Sequence, residues 1–239
     1  MLKLSSLKID PEFSAQILPL SFEELQQLEQ NIIAEGRLLN PIITWSGYIL
    51  DGHTRYRILK KHGFIKFEVE EIQLANKYEA LAWICKNQLG RRNLSPERKK
   101  FLLGKEYEST KLAVGGQPGN CNKVNRCDQN DHIDSEKRTC ERIAVEHGVG
   151  SATVRRAEKY MNGVEAADEA VPGAREEILN GKIKAADREI CAIAKAPKEQ
   201  RSEIVAELRK PKSKRDKQLA SSTEQRNVPL YEFREGESL

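Results

Sequence analysis

No stretch of this sequence approaches the run of about 18 apolar residues that marks a bilayer-crossing helix, and its opening, MLKLSSLKIDPEF, lacks the apolar core of a secretion signal. The expectation is a soluble, cytoplasmic protein without a membrane partner. Aromatic residues are scarce, at 6%, and only 38% of the 239 residues are apolar against 32% charged. One continuous core is therefore not required, and polar connecting segments are expected. The five cysteines, Cys85, Cys121, Cys127, Cys140 and Cys191, are an odd number without a compact disulfide framework, and they read as reduced thiols. Cys121, Cys127, His132 and Cys140 lack the Cys-x-x-Cys spacing of a zinc knuckle, so no metal site is assigned. The formal charge of +4 permits a polyanionic partner without requiring one.

Along the chain, SFEELQQLEQNIIAEG reads as a helix. Ser21 and Glu24 have capping-box spacing, Leu25, Leu28 and Ile32 recur with helical period, and Gly36 supplies the stop. NPIITW and GYIL are short apolar runs about a turn at Ser46 and Gly47, which suits a hairpin or two adjacent strands. A short helix over 53–62 ended by Gly63, a strand in FIKFEVEEIQL and a helix in YEALAWICKNQL complete a small α/β domain, 1–94. Ser95 and Pro96 start the next helix, because serine accepts amide hydrogens at the cap and proline has no amide to lose. Residues 95–208 are expected to form a helical domain interrupted by a disordered insertion at 112–135, rich in Gly, Asn and Asp. Residues 209–239 read as a basic, flexible tail. Trp45 and Trp83, at the ends of apolar runs, suit core-edge packing better than base stacking.

The segment LDGHTRYRILKKHG, residues 50–63, raises the first functional question. A turn at Asp51-Gly52 leaving a strand and entering a helix would aim unpaired amides at whatever lies beyond, which suits phosphate. Arg55 and Arg57 add planar donor forks but do not share a helical face, and Arg55 is the better placed. The alternative is a solvated helix end, with Arg57, Lys60 and Lys61 outside and Tyr56 and Leu59 inside. His53 could serve as an acid or base, because imidazole titrates near neutrality, or could hydrogen-bond within the turn.

CERIAVEHGVGSATVRRAEKY, residues 140–160, has helix-turn-helix spacing. Ile143 and Ala144 would face the second helix, Gly148 would permit the turn, Val149 would plug the junction, and Val154 and Ala157 would pack back. That leaves Ser151, Thr153, Arg155 and Arg156 near the exposed start and side of the second helix, where such side chains meet base edges and phosphates of double-stranded DNA. An ordinary helical hairpin is the alternative.

GRLLNPIITW at 36–45, LDGHTRYR at 50–57 and NQLGRRNLSPE at 87–97 together resemble the N-terminal domain of the ParB partition family and its wider superfamily with sulfiredoxins and ParB-like serine kinases. EEILNGKIKAADREICAIAKAPKEQ, residues 176–200, resembles the helices behind the ParB helix-turn-helix. The resemblance covers roughly residues 1–208 apart from the insertion. It implies an α+β protein: a small ParB/sulfiredoxin-like domain followed by an all-helical helix-turn-helix domain. It also implies nucleotide phosphates, of CTP or ATP with Mg²⁺, against Gly52, His53, Thr54 and Arg55. His53-Thr54 stands where sulfiredoxins have a cysteine followed by histidine, which argues against sulfinic acid reduction. Asn87 replaces the family's metal-associated glutamate, so binding should exceed hydrolysis.

The function expected from this resemblance is DNA binding in plasmid, phage or chromosome partition or in transcription regulation, with a nucleotide-responsive N-terminal domain. The alternative is a nucleotide-dependent kinase or nucleotidase. The tail lacks the apolar heptads of the family's dimerisation domain, which leaves a homo-oligomer or a partition partner open.

Overall fold

The computed structural model describes residues 4–63, 65–91, 93–114 and 139–210. Most of the expected insertion and nearly all of the tail lie outside the described residues. The chain divides into two compact units, Met1–Met161 and Asn162–Leu239.

The first unit is built on three strands, β1 (Ile42–Trp45), β2 (Tyr48–Asp51) and β3 (Val69–Glu71), in the order β2-β1-β3. β1 and β2 form the expected antiparallel hairpin, with Trp45 opposite Tyr48. Its two-residue turn has positive φ at both centres, 48° at Ser46 and 78° at Gly47, which matches the twist of paired strands. β3 lies parallel to β1 on the other edge, pairing Ile42 with Val69 and Thr44 with Glu71. It is shorter than the alternation of residues 64–74 suggests.

Successive side chains of a strand point to opposite faces, and β2 shows it directly. Ile49 joins a core with Leu7, Ile32, Ile42, Tyr56, Ile58 and Leu59, whereas Leu50 joins one with Phe13, Ala80, Leu81 and Ile84. The first core is covered by α2 (Phe22–Glu35) and α3 (His53–Lys61), and the second by α1 (Pro11–Ser14) and α4 (Lys77–Leu89). The sheet is thus buried on both sides, and the end of β2 delivers the chain straight into α3.

Trp45 and Trp83 pack against the edge of the second core, and Trp45 Nε1 donates to the Leu74 carbonyl at 2.9 Å. α5 (Pro96–Ala113) begins at the expected Ser95 cap, whose side chain accepts from the Arg98 amide. It runs two residues into the stretch assigned to the insertion, because Leu112 and Ala113 continue the helix. α5 packs along α4 and supplies Leu103 and Tyr107 to a third core, shared with Cys140, Ile143, Ala144, Val154 and Ala157. These last residues belong to a helix described over 139–146, here α6, and to α7 (Ser151–Ala170).

In the second unit the rest of α7 is followed by α8 (Ala174–Leu179), α9 (Asp187–Lys195) and α10 (Lys198–Leu208). Positive-φ glycines mark two of the breaks, Gly173 and Gly181, and Pro197 precedes the last helix. Ile178, Leu179, Ile183, Ile190, Ile193 and Val205 are buried in it. Among the described residues no helix is long and apolar enough to cross a membrane.

Candidate functional site

Gly52 sits between β2 and α3 with φ 96° and ψ 20°, a conformation open to glycine and strained for other residues. It is the N-cap of α3 and offers no side-chain hydrogen bond; the first helical bond runs from the Tyr56 amide to the Gly52 carbonyl. The amides of His53, Thr54 and Arg55 therefore precede the helical ladder, at the positive end of the helix dipole.

The Arg55 side chain folds back over this opening. A Cβ added to Gly52 would lie 3.2 Å from Arg55 Nη2 and 3.3 Å from its Nε. Arg55 Nη1 donates to the Asn40 carbonyl at 2.9 Å and Nη2 to Asp51 Oδ2 at 2.5 Å. The other oxygen of Asp51 accepts from Arg91 Nη2 at 3.3 Å. One carboxylate thus bridges two guanidiniums, one on α3 and one in the loop after α4, leaving a net positive charge at the start of α3. Arg57, Lys60 and Lys61 are exposed, while Tyr56 and Leu59 are buried. The helix face divides as its spacing indicates.

His53 is only 5% exposed, and neither ring nitrogen has a hydrogen-bond partner among the described residues. Burial lowers its pKa to about 4; Arg57 pushes the same way and Asp51 opposes. The expectation of an imidazole titrating near neutrality is therefore corrected: desolvation keeps His53 uncharged there. Thr54 is half-buried. All four residues of the expected pocket thus meet at one helix start. The sequence reading missed the bridging role of Asp51 and the arrival of Arg91; the four-residue spacing of Asp51 and Arg55 was the available signal for the first.

At residues 139–156 the chain makes two helices joined by a tight turn. The His147 amide donates to the Ile143 carbonyl at 3.0 Å, and Val149 to Ala144 at 2.9 Å. Gly148 supplies the positive φ of 64°. Ile143, Ala144, Val154 and Ala157 are buried against one another, with Val149 packed at the junction. Cys140 Sγ donates to the Ser151 carbonyl at 3.1 Å, closing the two helices near the start of α7. Thr153, Arg155 and Arg156 are exposed and Ser151 is half-buried; Arg142 and Lys159 are exposed as well. Three of the four expected contact residues lie open on the start of α7.

Cys85, Cys140 and Cys191 are free thiols, and no cluster suited to a metal ion occurs among the described residues. Cys121, Cys127 and His132 lie outside them.

No family model matches the chain, and no curated protein matches it. Among solved structures it is similar to a Pnob8-like ParB-N domain, at 18% identity over 90% of this chain and 86% of that one, with a TM-score of 0.51. It also aligns with the C-terminally truncated chromosome-partitioning protein ParB from Caulobacter crescentus, solved complexed to the centromeric parS site. There the identity is 17%, the coverage 92% of this chain and 90% of that one, and the TM-score 0.38. The fold is that of a ParB-N domain: α+β, with a small sheet and further helices.

Proposed function

We propose that this chain is a ParB-like DNA-binding protein whose helix-turn-helix, 140–160, lays the start of α7 against double-stranded DNA, in partition or transcription regulation. The observation that carries the reading is the division of α7's first turns. Val154 and Ala157 are buried while Thr153, Arg155 and Arg156 are exposed, so a rigid packed face supports a polar, positively charged one. Ser151 stands at the helix start, where a backbone amide can meet phosphate. Fluorescence anisotropy of the full chain with a labelled duplex is expected to show binding at about 50 mM salt that weakens as salt rises. Absence of binding at that salt removes the reading.

A second ligand is favoured by the start of α3. Unpaired amides and two arginines suit the phosphates of CTP or ATP, and the orphaned polar atoms of His53 leave a neutral donor and acceptor unanswered. Gly52, His53, Thr54 and Arg55 would hold the nucleotide, with Arg91 beside them. Asn87 is exposed on α4 and uncharged, so Mg²⁺ would enter on the nucleotide's own oxygens, and the nucleotide acts as a conformational ligand more than a substrate. Calorimetry of wild type and Arg55→Ala with each nucleotide and magnesium is the test. Equal affinities remove Arg55 from the site, and no heat with either nucleotide removes the pocket.

A further inference from the structure

α5 carries a buried acid that neither proposed ligand touches. Glu106 is 3% exposed, and its Oε2 stands 2.8 Å from His147 Nε2, in the turn between α6 and α7. Burial raises the Glu106 pKa above the ordinary carboxylate range; the charge and hydrogen bond of His147 oppose this, as does Lys86, while Glu146 adds to it.

Taking a carboxylate out of water is costly, and well-packed apolar side chains commonly hold two helices together at least as well. Packing alone therefore gives no reason for an acid at this place. A buried hydrogen-bonded pair adds direction, because its hydrogen bond is satisfied in only a narrow range of orientations. His147 is well situated to transmit that direction. Its own amide still belongs to α6, and the next residue, Gly148, turns the chain toward α7.

Two ion pairs flank this contact. Lys86 of α4 meets Glu146 of α6, and Lys111 of α5 meets Glu158 of α7 at 2.5 Å. Both are more open to solvent than the Glu106 carboxylate, whose side chain is 4% exposed. Water and salt weaken such outer pairs far more than the central one.

We propose that Glu106 is a positioning residue for DNA binding: through His147 it fixes the turn against α5, and so sets the direction in which Thr153, Arg155 and Arg156 leave α7. This rests on the DNA-binding reading above. It requires no contact between Glu106 and DNA.

The test measures duplex binding by anisotropy, beside urea unfolding, for the full chain and for Glu106→Gln, Glu106→Leu and the double variant Glu106→Leu/His147→Leu. The amide of Glu106→Gln can still hydrogen-bond His147, and its affinity is expected to stay near wild type. Glu106→Leu and the double variant are expected to lose at least about fivefold in affinity, the lower end of coupling between sites that do not touch. The double variant leaves no buried group unpaired, so it is expected to unfold at the wild-type urea midpoint or above. Affinity lost while stability is kept separates positioning from a merely structural role. A folded double variant with wild-type affinity overturns the proposal. So does a loss in the double variant without a loss in Glu106→Leu, because His147 would then be touching DNA itself. Failure of the wild type to bind any duplex instead removes the DNA-binding reading, and this proposal with it.

Discussion

His53 makes the acid limb of stability legible from one side chain. Its pKa is about 6.5 in the unfolded chain and is lowered to about 4 in the fold, chiefly by burial. The folded state thus refuses a proton that the unfolded state accepts. The stability it contributes is complete above pH 6.5, declines as pH falls, and is gone once pH passes below about 4. The slope in that window is up to about 1.4 kcal/mol per pH unit. Urea unfolding at a series of pH values is expected to show this decline and to show a shallower one in His53→Leu; equal slopes would contradict it. Gly104 supplies a second residue-level expectation. A Cβ there would lie 2.4 Å from the Ala157 carbonyl oxygen and 2.8 Å from Met161 Cβ. Gly104→Ala must therefore force α5 and α7 apart, at a cost of about 1–3 kcal/mol in urea unfolding. The sequence pattern gave no hint of this contact: a glycine within a helical run reads as a weak point, and its close neighbour lies 53 positions along the chain. The same limit hid Arg91 from the Asp51–Arg55 pair and Glu106 from His147.

Among the elements, those with local causes were legible. The capping box of α2 is present as its spacing indicates: the Glu24 amide donates to Ser21 Oγ at 3.2 Å, and the Ser21 amide donates to Glu24 Oε2 at 2.9 Å. Ser21→Ala is expected to lower stability by about 1 kcal/mol in chemical unfolding, and an unchanged midpoint would show that α2 is held by packing alone. The Ser46-Gly47 hairpin and the Ser95 cap have the same local character. Outcomes set by distant partners were not legible. β3 could be expected as a strand from alternation, but its length and its parallel place beside β1 depend on where the connection from α3 brings it. α1 has a local cause as well: the Asp10 side chain accepts from the Glu12 and Phe13 amides while Pro11 opens the turn. Phe13, fully buried under Leu50 and Leu81, then fastens it.

Taken whole, the molecule sets two positively charged features into its first unit: the Arg55–Arg91 pair about Asp51, and the exposed residues of α7. Short motifs pointed to Arg55 at the start of α3 and to the exposed side of α7, since a glycine turn before a helix and the Ala-Gly-Val spacing of paired helices are local signals; they did not point to Arg91. Nor did they show what holds each in place. The exposed side of α7 is proposed to bind duplex DNA, and the salt dependence of duplex affinity for wild type beside Arg155→Ala/Arg156→Ala tests this most directly. Both side chains are exposed, so the double substitution should leave the urea midpoint unchanged. The expected result is a loss of at least about tenfold in affinity at low salt, with a shallower decline as salt rises, since each phosphate contact removed takes about 0.9 from the slope. Wild-type affinity and an unchanged slope in the folded double variant would contradict binding through α7.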